Sequence, residues 1–217
     1  MFEPCEILRD RAQISEASSL LKGMGVSGNP ICECKDWDMA HVLPRLSHGN
    51  LLDMGCQGSP LLGNAETIGI VGEKIGIDLV PLPQRHGTTL VQGDMTKTNF
   101  PSEHFDYITC LSVVEHGVNI KDFSKECSRL LRPGGKLFLT FDYWNPKIHT
   151  NMTLFGAPWN IFCKEDAEFV IHETESNGMA MVVPMNWTQG NPVIRPGYHS
   201  PGSVSYSFGI LEMEKRK

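Results

Sequence analysis

The stretch that decides the fold is Leu51-Leu52-Asp53-Met54-Gly55-Cys56-Gln57-Gly58-Ser59-Pro60, a short apolar run that ends in an acid and opens into a glycine-rich turn. Such a run predicts a buried parallel strand, because strands that are covered on both faces read as continuous apolar segments. The turn after the strand offers a ligand bare backbone N–H groups and the positive end of the following helix. We therefore expect a polar ligand to bind at this turn.

Three classes of nucleotide site place a glycine-rich turn after the first strand. A P-loop is excluded, because no Lys-Ser or Lys-Thr pair closes the turn to supply counter-charge for a triphosphate. A dinucleotide site would carry the spacing G-x-G-x-x-G, whereas the glycines here are Gly55 and Gly58. Asp53 would repel a pyrophosphate but suits a cationic nucleoside such as S-adenosylmethionine. The pattern favours the cationic nucleoside, and a tight turn without a ligand stays open at this point.

The pattern of a predicted strand followed by an acidic residue recurs downstream. Further short apolar runs cover residues 74–79, 88–91, 105–111 and 136–141. The acids Asp78, Asp94, Glu115 and Asp142 close these runs or follow them. A helical pattern from Phe123 to Leu131 lies before the last run and stops at the sequence Arg132-Pro133-Gly134-Gly135. This order predicts an open parallel α/β sheet with its functional side chains at the carboxyl ends of the strands.

Taken together, the segments between Asn50 and Asp142 resemble the class I S-adenosylmethionine-dependent methyltransferases, in particular the methyltransferase type 11-like subgroup. The resemblance implies a Rossmann-like, seven-stranded, mostly parallel sheet with helices on both faces and an antiparallel last strand. Residues 204–213 would form that last strand, and residues 178–185 its partner. We expect residues 1–48 to form a helical segment or lid and 49–217 to form the methyltransferase domain, with substrate-facing insertions at 143–165 and 187–203.

The resemblance also assigns donor-binding roles residue by residue. Asp53 and the backbone of Gly55 would lie against the methionine part of S-adenosylmethionine, and Asp78 would take the ribose hydroxyls. Asp94 would face the adenine amine, with Met95 packed on the base. The remaining donor-pocket residues that we expect are Cys56, Gln57, Leu79, Leu111 and Ser112.

Gln57 departs from the family pattern, which usually has glycine at this place, and Ser59 stands where a third glycine is common. A side chain at Gln57 needs a backbone conformation that L-residues adopt. The turn could therefore be shaped differently, Gln57 could hydrogen-bond the donor carboxylate, or the donor site could be weakened.

Methyl transfer from a sulfonium is an in-line displacement, and a hydroxyl acceptor must also lose a proton. His116 is the best candidate base by position, with His149 and His199 as alternatives and Asp142 as a carboxylate option. Tyr198 is a further residue that could face the methyl group. His116 could instead help to build the pocket without exchanging protons. The resemblance also bears on the acceptor. The chain lacks the Asp/Asn cluster of the metal-dependent catechol type of methyltransferase and the Asn-Pro-Pro-Tyr tetrapeptide of the amino-directed type, which favours metal-free transfer to oxygen or carbon.

The acceptor is less clearly indicated. Residues 142–149 and 156–162 mix aromatic with polar side chains, which suits a sugar or another small polyhydroxylated molecule. Residues 187–202 are rich in Gly and Pro and predict a loop over the substrate. Two alternatives stay open, namely a non-catalytic nucleoside-binding module of the same fold and an NAD-dependent oxidoreductase.

Composition limits the partners. The 217 residues carry a net charge of −6, which argues against nucleic acid, and no apolar run approaches the roughly 20 residues that span a bilayer. Seven cysteines with scattered spacing predict reduced thiols and a cytoplasmic protein. No metal site is expected, because the Cys32-Glu33-Cys34 pair cannot supply four ligands. A helical face of Ile14, Ala17, Leu20 and Leu21 is expected near the N-terminus, and a homodimer is compatible with the sequence.

Overall fold

Strands and helices alternate along the chain in the computed structural model, which describes residues 2–29, 32–57, 59–81, 83, 87–197 and 199–217. Gly58 and Tyr198, which the sequence analysis singled out, lie outside the described residues. The strands are β1 (Glu6–Ile7), β2 (Leu51–Met54), β3 (Lys74–Asp78), β4 (Thr89–Gln92), β5 (Phe105–Leu111), β6 (Leu131–Tyr143), β7 (Thr153–Leu154), β8 (Ala157–Pro158), β9 (Met179–Met181) and β10 (Ser207–Lys215). The α-helices are α1 (Arg11–Gly23), α2 (Asp36–Val42), α3 (Leu61–Thr67), α4 (Ile120–Leu130) and α5 (Lys164–Ser176).

Within the described ranges, eight of these strands form one sheet, and β7 and β8 form a separate hairpin. The sheet order is β1-β10-β6-β5-β2-β3-β4, with β9 also paired to β10. Strands β4, β3, β2, β5 and β6 run parallel, whereas β10 is antiparallel to β6 and to β9. The predicted seven-stranded Rossmann-like sheet with an antiparallel last strand is confirmed, and β1 adds a short strand beside β10.

Helices cover both faces because the side chains of each strand alternate between two cores. On β6, Phe138 packs with α1, α2 and α3, while its neighbours Leu137 and Leu139 pack with α4 and α5. Helix α4 begins where the Asn119 side chain accepts hydrogen bonds from the backbone N–H groups of Lys121 and Asp122. This layering leaves the carboxyl ends of the parallel strands as the place for a ligand.

The N-terminal segment is joined to the sheet and also approaches the carboxyl ends of the strands. Strand β1 pairs antiparallel with β10, and α1 buries Ile14, Ala17 and Leu21 against the sheet. Leu20, expected on the same helical face, is 38% exposed. Past α1, the short 3₁₀ turn Glu33–Lys35 leads into α2.

The predicted reduced state of the cysteines is wrong at one place. The Sγ atoms of Cys32 and Cys34 are bonded, because the turn brings their Cα atoms to 5.2 Å, within the range that a disulfide spans. The other five cysteines are buried.

In the described part of the chain, none of the helices has both the length and the apolar character needed to cross a bilayer.

Candidate active site

A cavity of about 960 Å³ opens at the carboxyl ends of the parallel strands, a size typical of small-molecule sites. It is lined by ten of the thirteen residues that the sequence predicts for the site, namely Gly55, Gln57, Asp78, Leu79, Asp94, Met95, Leu111, Ser112, His116 and Asp142. Asp53, Cys56 and His149 do not line it. We call the part formed by residues 55, 57, 78–79, 94–95 and 111–112 the motif end. The part around Lys35, Asp38, Glu115, His116 and Asp142 is the acidic end.

Gly55 shapes the motif end through its backbone. Its φ is +74°, and a Cβ atom there would lie 2.4 Å from Cγ2 of Val113. The Gly55 N–H donates to the Ile77 carbonyl at 2.8 Å, which ties the turn to the end of β3. Only glycine fits this close approach, because the Val113 side chain packs directly against the turn at the cavity wall.

Gln57 and Asp78 are joined across the motif end. The backbone N–H of Gln57 donates to Oδ2 of Asp78 at 3.0 Å, and the Gln57 side chain is exposed. The non-glycine residues described with positive φ are Glu103, Ser112, Phe155 and His199, so Gln57 has a backbone conformation that L-residues adopt. Its departure from glycine therefore introduces no backbone strain.

Asp94 and Met95 lie on the turn after β4. Oδ1 of Asp94 accepts hydrogen bonds from the backbone N–H of Thr96 at 2.8 Å and from its hydroxyl at 2.7 Å. Met95 is buried, and both residues line the cavity. The carboxylate is thereby fixed at the cavity wall by the turn that follows it.

Asp53 lies beneath the turn rather than on the cavity wall. It is 1% exposed, and its Oδ1 accepts a hydrogen bond from the Thr109 hydroxyl at 2.7 Å. Burial raises the pKa of Asp53 to about 6, although hydrogen bonds from Thr109 and Ser59 oppose the shift. Cys56 is likewise buried, with its Sγ against Gly76.

Glu115 and Asp142 form the centre of the acidic end. The backbone N–H of Asp142 donates to Oε1 of Glu115 at 3.1 Å, and Nε1 of Trp159 donates to Oδ2 of Asp142 at 2.7 Å. Burial, together with the charge of Asp142, raises the pKa of Glu115 well above its usual range. Burial also raises the pKa of Asp142 to about 6, while Lys35 and the Trp159 hydrogen bond lower it. Burial therefore favours the protonated form of Glu115, while Asp142, with a pKa of about 6, is mostly ionised at neutral pH.

Sequence reasoning missed Lys35 and Asp38, which reach the acidic end from the N-terminal segment. Nζ of Lys35 donates a hydrogen bond to Oγ of Ser112, lies 3.6 Å from Oδ2 of Asp38 and stands 3.7 Å from the centre of the Phe208 ring. Burial raises the pKa of Asp38, against the charge of Lys35. One signal in the sequence could have indicated these two residues. Charged side chains stand at the start of an otherwise apolar helical segment, in the run Lys35-Asp36-Trp37-Asp38.

His116 faces the cavity beside the β7–β8 hairpin. Burial, followed by the charge of Lys35, lowers the pKa of His116 to about 4, so its ring is neutral at physiological pH. The ring packs edge-on against Phe155 at 5.4 Å. His199 also lines the cavity, whereas His149 is exposed and lies outside it.

The aromatic residues of the two segments expected to bind a sugar do not line the cavity, namely Tyr143, Trp144, Trp159 and Phe162. Tyr143, Trp159 and Phe162 are at most 7% exposed and belong to the cores, because β6 continues through Tyr143. Among the described Phe, Tyr and Trp residues that line the cavity, the exposed one is Phe155, at the tip of the hairpin, with 88% of its surface accessible. Among the described residues, no group of three or more His, Cys, Asp or Glu side chains is arranged to hold a metal ion.

Comparison with known proteins agrees with this geometry. Residues 52–139 match a family model described as a methyltransferase domain. A ubiquinone biosynthesis O-methyltransferase from Sodalis glossinidius is 28% identical over 119 residues, which cover 51% of this chain and 47% of that protein. A demethylmenaquinone methyltransferase from Listeria monocytogenes is 27% identical over 197 residues, or 80% of this chain and 83% of that protein. The chain thus spans about half the length of the ubiquinone-pathway relative.

A solved structure shares the fold. The 1,6-didemethyltoxoflavin-N1-methyltransferase from Burkholderia thailandensis, with bound 1,6-didemethyltoxoflavin and S-adenosylhomocysteine, superposes with a TM-score of 0.60 at 13% identity. The match covers 96% of this chain and 80% of that one. At this identity the likeness shows the fold alone. Residues 52–139 thus form a methyltransferase domain, and the sheet order is that of the class I S-adenosylmethionine-dependent methyltransferase fold.

Proposed function

We propose that the chain transfers a methyl group from S-adenosylmethionine to a hydroxyl oxygen of a small, polyhydroxylated acceptor. The observation that carries the hydroxyl acceptor is a pair of buried oxygens at the acidic end, Oδ1 of Asp38 and Oε2 of Glu115. Neither atom has a hydrogen-bond partner among the described residues, and both residues line the cavity. Because unpaired buried polar atoms are costly, a ligand with several hydrogen-bonding hydroxyl groups fits this end.

The residues of the motif end fit the methyl donor. Gly55 forms a tight turn at the cavity wall that only glycine can adopt beside Val113, and Asp78 and Asp94 present carboxylates to the same cavity. Asp78 would bind the ribose hydroxyls and Asp94 the adenine amine, with Leu79 and Met95 against the base. The main chain at Leu111 and Ser112 would border the methionine amine. S-adenosylmethionine, when bound, supplies the electrophilic methyl group.

Asp53 would act on the donor indirectly. It lies beneath the turn and holds the end of β2 against Thr109 on β5, and so supports the backbone that faces the methionine part. Cys56 would fill the space beside Gly76 in the same way. Both residues would then stabilise the donor pocket without touching the ligand.

Asp142 is the base that the geometry favours. It is buried at the cavity wall, and its pKa of about 6 leaves it ionised at neutral pH yet basic enough to accept a proton. His116 is neutral at the cavity wall, with a buried Nδ1 that lacks a partner in the part of the chain described, and so it would orient the acceptor by a hydrogen bond. His149 is exposed and is not one of the residues that line the cavity, so it has no role in this scheme.

Two experiments test the proposal. Calorimetry should detect binding of S-adenosylhomocysteine but not of NAD. Incubation with methyl-labelled S-adenosylmethionine should move the label onto monosaccharides or glycosides more readily than onto the corresponding deoxy compounds.

Each alternative gives a different outcome. Absence of S-adenosylhomocysteine binding at millimolar concentration would overturn the proposed activity. Binding without label transfer across the hydroxyl panel would indicate a non-catalytic module, and stabilisation by NAD alone would indicate an oxidoreductase. Transfer to dihydroxybenzoates but not to sugars would retain the O-methyltransferase and replace its acceptor class, in line with the name of the ubiquinone-pathway relative.

A further inference from the structure

We propose that Lys35 is a positioning residue for methyl transfer, because its ammonium group keeps the Asp142 carboxyl in the ionised form that accepts the acceptor's proton. This inference rests on the proposed function, in which Asp142 is the base. It concerns a side chain from the N-terminal segment, outside residues 52–139 that match the methyltransferase domain.

Several contacts fix the Lys35 side chain over the acidic end. Its Nζ donates to the Ser112 hydroxyl just beyond β5 and lies 3.6 Å from Oδ2 of Asp38. The same atom stands 3.7 Å from the centre of the Phe208 ring, in the geometry of a cation–π contact. An ammonium group held by a hydroxyl, a carboxylate and a ring has little freedom to swing away from the cavity.

The register of the sheet places these contacts beside Asp142. Phe208 on β10 is the direct antiparallel partner of Asp142 on β6, so the two side chains emerge on the same face. Thr140, two residues earlier on β6 and therefore also on this face, donates its hydroxyl proton to Oδ2 of Asp38 at 3.2 Å. Lys35 thus lies over the part of the sheet from which Asp142 projects.

The other charged and titratable groups near Asp142 oppose its ionisation or are neutral. They come from separate elements and comprise Asp38 on α2, Glu115 after β5, His116 on the same loop, and Tyr206 before β10. Burial and Asp38 raise the pKa of Asp142, whereas Lys35 and the Trp159 hydrogen bond lower it. Among the described residues that line the cavity, Lys35 is the one Lys or Arg.

The chemistry requires a charged Asp142. The acceptor oxygen forms a bond to the methyl carbon, the S–CH₃ bond breaks with its electron pair on sulfur, and the hydroxyl proton moves to the Asp142 carboxylate. A protonated Asp142 cannot accept that proton. Loss of the Lys35 charge would therefore move the pH range of activity upward rather than simply lower activity at every pH.

The test follows the Asp142 carboxyl directly. The full chain, saturated with S-adenosylhomocysteine, is labelled with ¹³C at aspartate carboxyls and at histidine Cε1. The Asp142 and His116 resonances are assigned by their loss in Asp142→Asn and His116→Gln. Titration should give a midpoint near the pKa of about 6 in the unsubstituted protein. Lys35→Met should raise the midpoint by about one pH unit or more, since a nearby opposite charge shifts a carboxyl by that amount. The His116 midpoint should rise as well, because the same charge lowers its pKa.

Three variants keep the test decisive. Lys35→Arg retains the charge and should restore both midpoints, and Lys35→Gln, which keeps a polar contact for Ser112, should behave like Lys35→Met if the latter folds poorly. Lys121→Met, at an exposed lysine on α4, should leave both midpoints unchanged. An Asp142 midpoint in Lys35→Met and Lys35→Gln equal to that of the unsubstituted protein would overturn the proposal, as would an Arg variant that shifts as much as Met.

The acid limb of the rate profile is the second measurement. Lys35→Met should move the acid limb of kcat/KM upward in parallel with the Asp142 midpoint. If the Asp142 midpoint shifted while the acid limb of kcat/KM stayed unchanged, Asp142 would not be the base. That result would overturn both proposals. Failure of the unsubstituted protein to transfer methyl would instead overturn the proposed function while the electrostatic coupling is measured independently.

Discussion

The two ends of the cavity differ in how the chain builds them. One continuous segment, residues 55–112, supplies the motif end, where backbone turns at strand ends do most of the shaping. The acidic end is assembled from distant parts of the chain, with Lys35 and Asp38 from the N-terminus, Glu115 and Asp142 from the middle, and Phe208 from the last strand. Residues of the motif end follow successive strands and can therefore be recognised in the sequence. Residues of the acidic end are distant in the sequence and come together only in the folded chain.

The largest expected effect that separates the two ends is that of Asp142→Asn at the acidic end. We expect kcat to fall by about 10²- to 10⁴-fold, the usual contribution of a general base, because the amide cannot take the acceptor's proton. The amide still accepts the hydrogen bond from Trp159, so the fold and the motif end should be retained. Initial rates, together with calorimetric binding of S-adenosylhomocysteine, measure both.

A matched control is Asp122→Asn, at an exposed aspartate in the first turn of α4. It should keep full activity. If Asp142→Asn lost donor binding as strongly as turnover, the separation between the two ends would be wrong.

The second prediction concerns the motif end, where Gly55→Ala should reduce affinity for S-adenosylhomocysteine by roughly tenfold or more. The new Cβ would lie 2.4 Å from Val113 and would occupy a left-handed backbone conformation that costs about 1–2 kcal/mol by itself. The turn must then open or shift. Calorimetry measures the affinity, and thermal unfolding measures the accompanying loss of stability.

Gly63→Ala provides the control for that substitution. Gly63 lies in α3, and a Cβ there meets nothing within 4 Å. Alanine favours the helix over glycine by about 0.5–1 kcal/mol, so this variant should be slightly more stable and should bind the donor normally. Equal loss of affinity in both variants would contradict the role of the Gly55 turn.

These contrasts explain how much the sequence can predict. The strand Phe105–Leu111 is found with its predicted bounds, and the helix before Arg132 ends one residue short of its predicted end, because apolar periodicity and a Pro-Gly-Gly stop are local features. Asp78, Asp94, Ser112 and Asp142 line one cavity for the same reason, since parallel strands bring their carboxyl ends to one edge.

What escaped prediction depends on contacts between distant segments. Lys35 is recognisable as a cavity residue only once Ser112 and Phe208 stand beside it, 77 and 173 positions further along the chain. Tyr143 and Trp159 belong to segments whose composition suits a sugar, yet both side chains are buried. The bridge between Tyr143 and Phe162 joins these segments within the core. The Cys32–Cys34 bond likewise depends on the local turn, which cysteine counting does not show.

Phe155→Ala tests whether the acidic end extends to the β7–β8 hairpin. Phe155 is 88% exposed beside His116, so an acceptor could pack against its ring. An aromatic contact contributes about 0.5–1.5 kcal/mol, and its loss should raise the acceptor KM by about two- to tenfold with little change in donor affinity. Phe169→Ala, at an exposed ring on α5 away from the cavity, should leave KM unchanged. A fall in kcat alone for Phe155→Ala would argue against acceptor contact.

The smallest expected effect belongs to Gln57→Ala, at the residue that departs from the family pattern. Because the backbone N–H of Gln57, not its exposed side chain, donates to Asp78, the substitution should change affinity for S-adenosylhomocysteine by no more than about twofold, as exposed positions usually do. Asp78→Ala should by contrast weaken binding by roughly ten- to a hundredfold, since it removes a charged hydrogen-bond acceptor worth about 1.5–3 kcal/mol. A large loss in Gln57→Ala would mean that the side chain itself contacts the donor, and the motif end would then depend on side chains as much as the acidic end does.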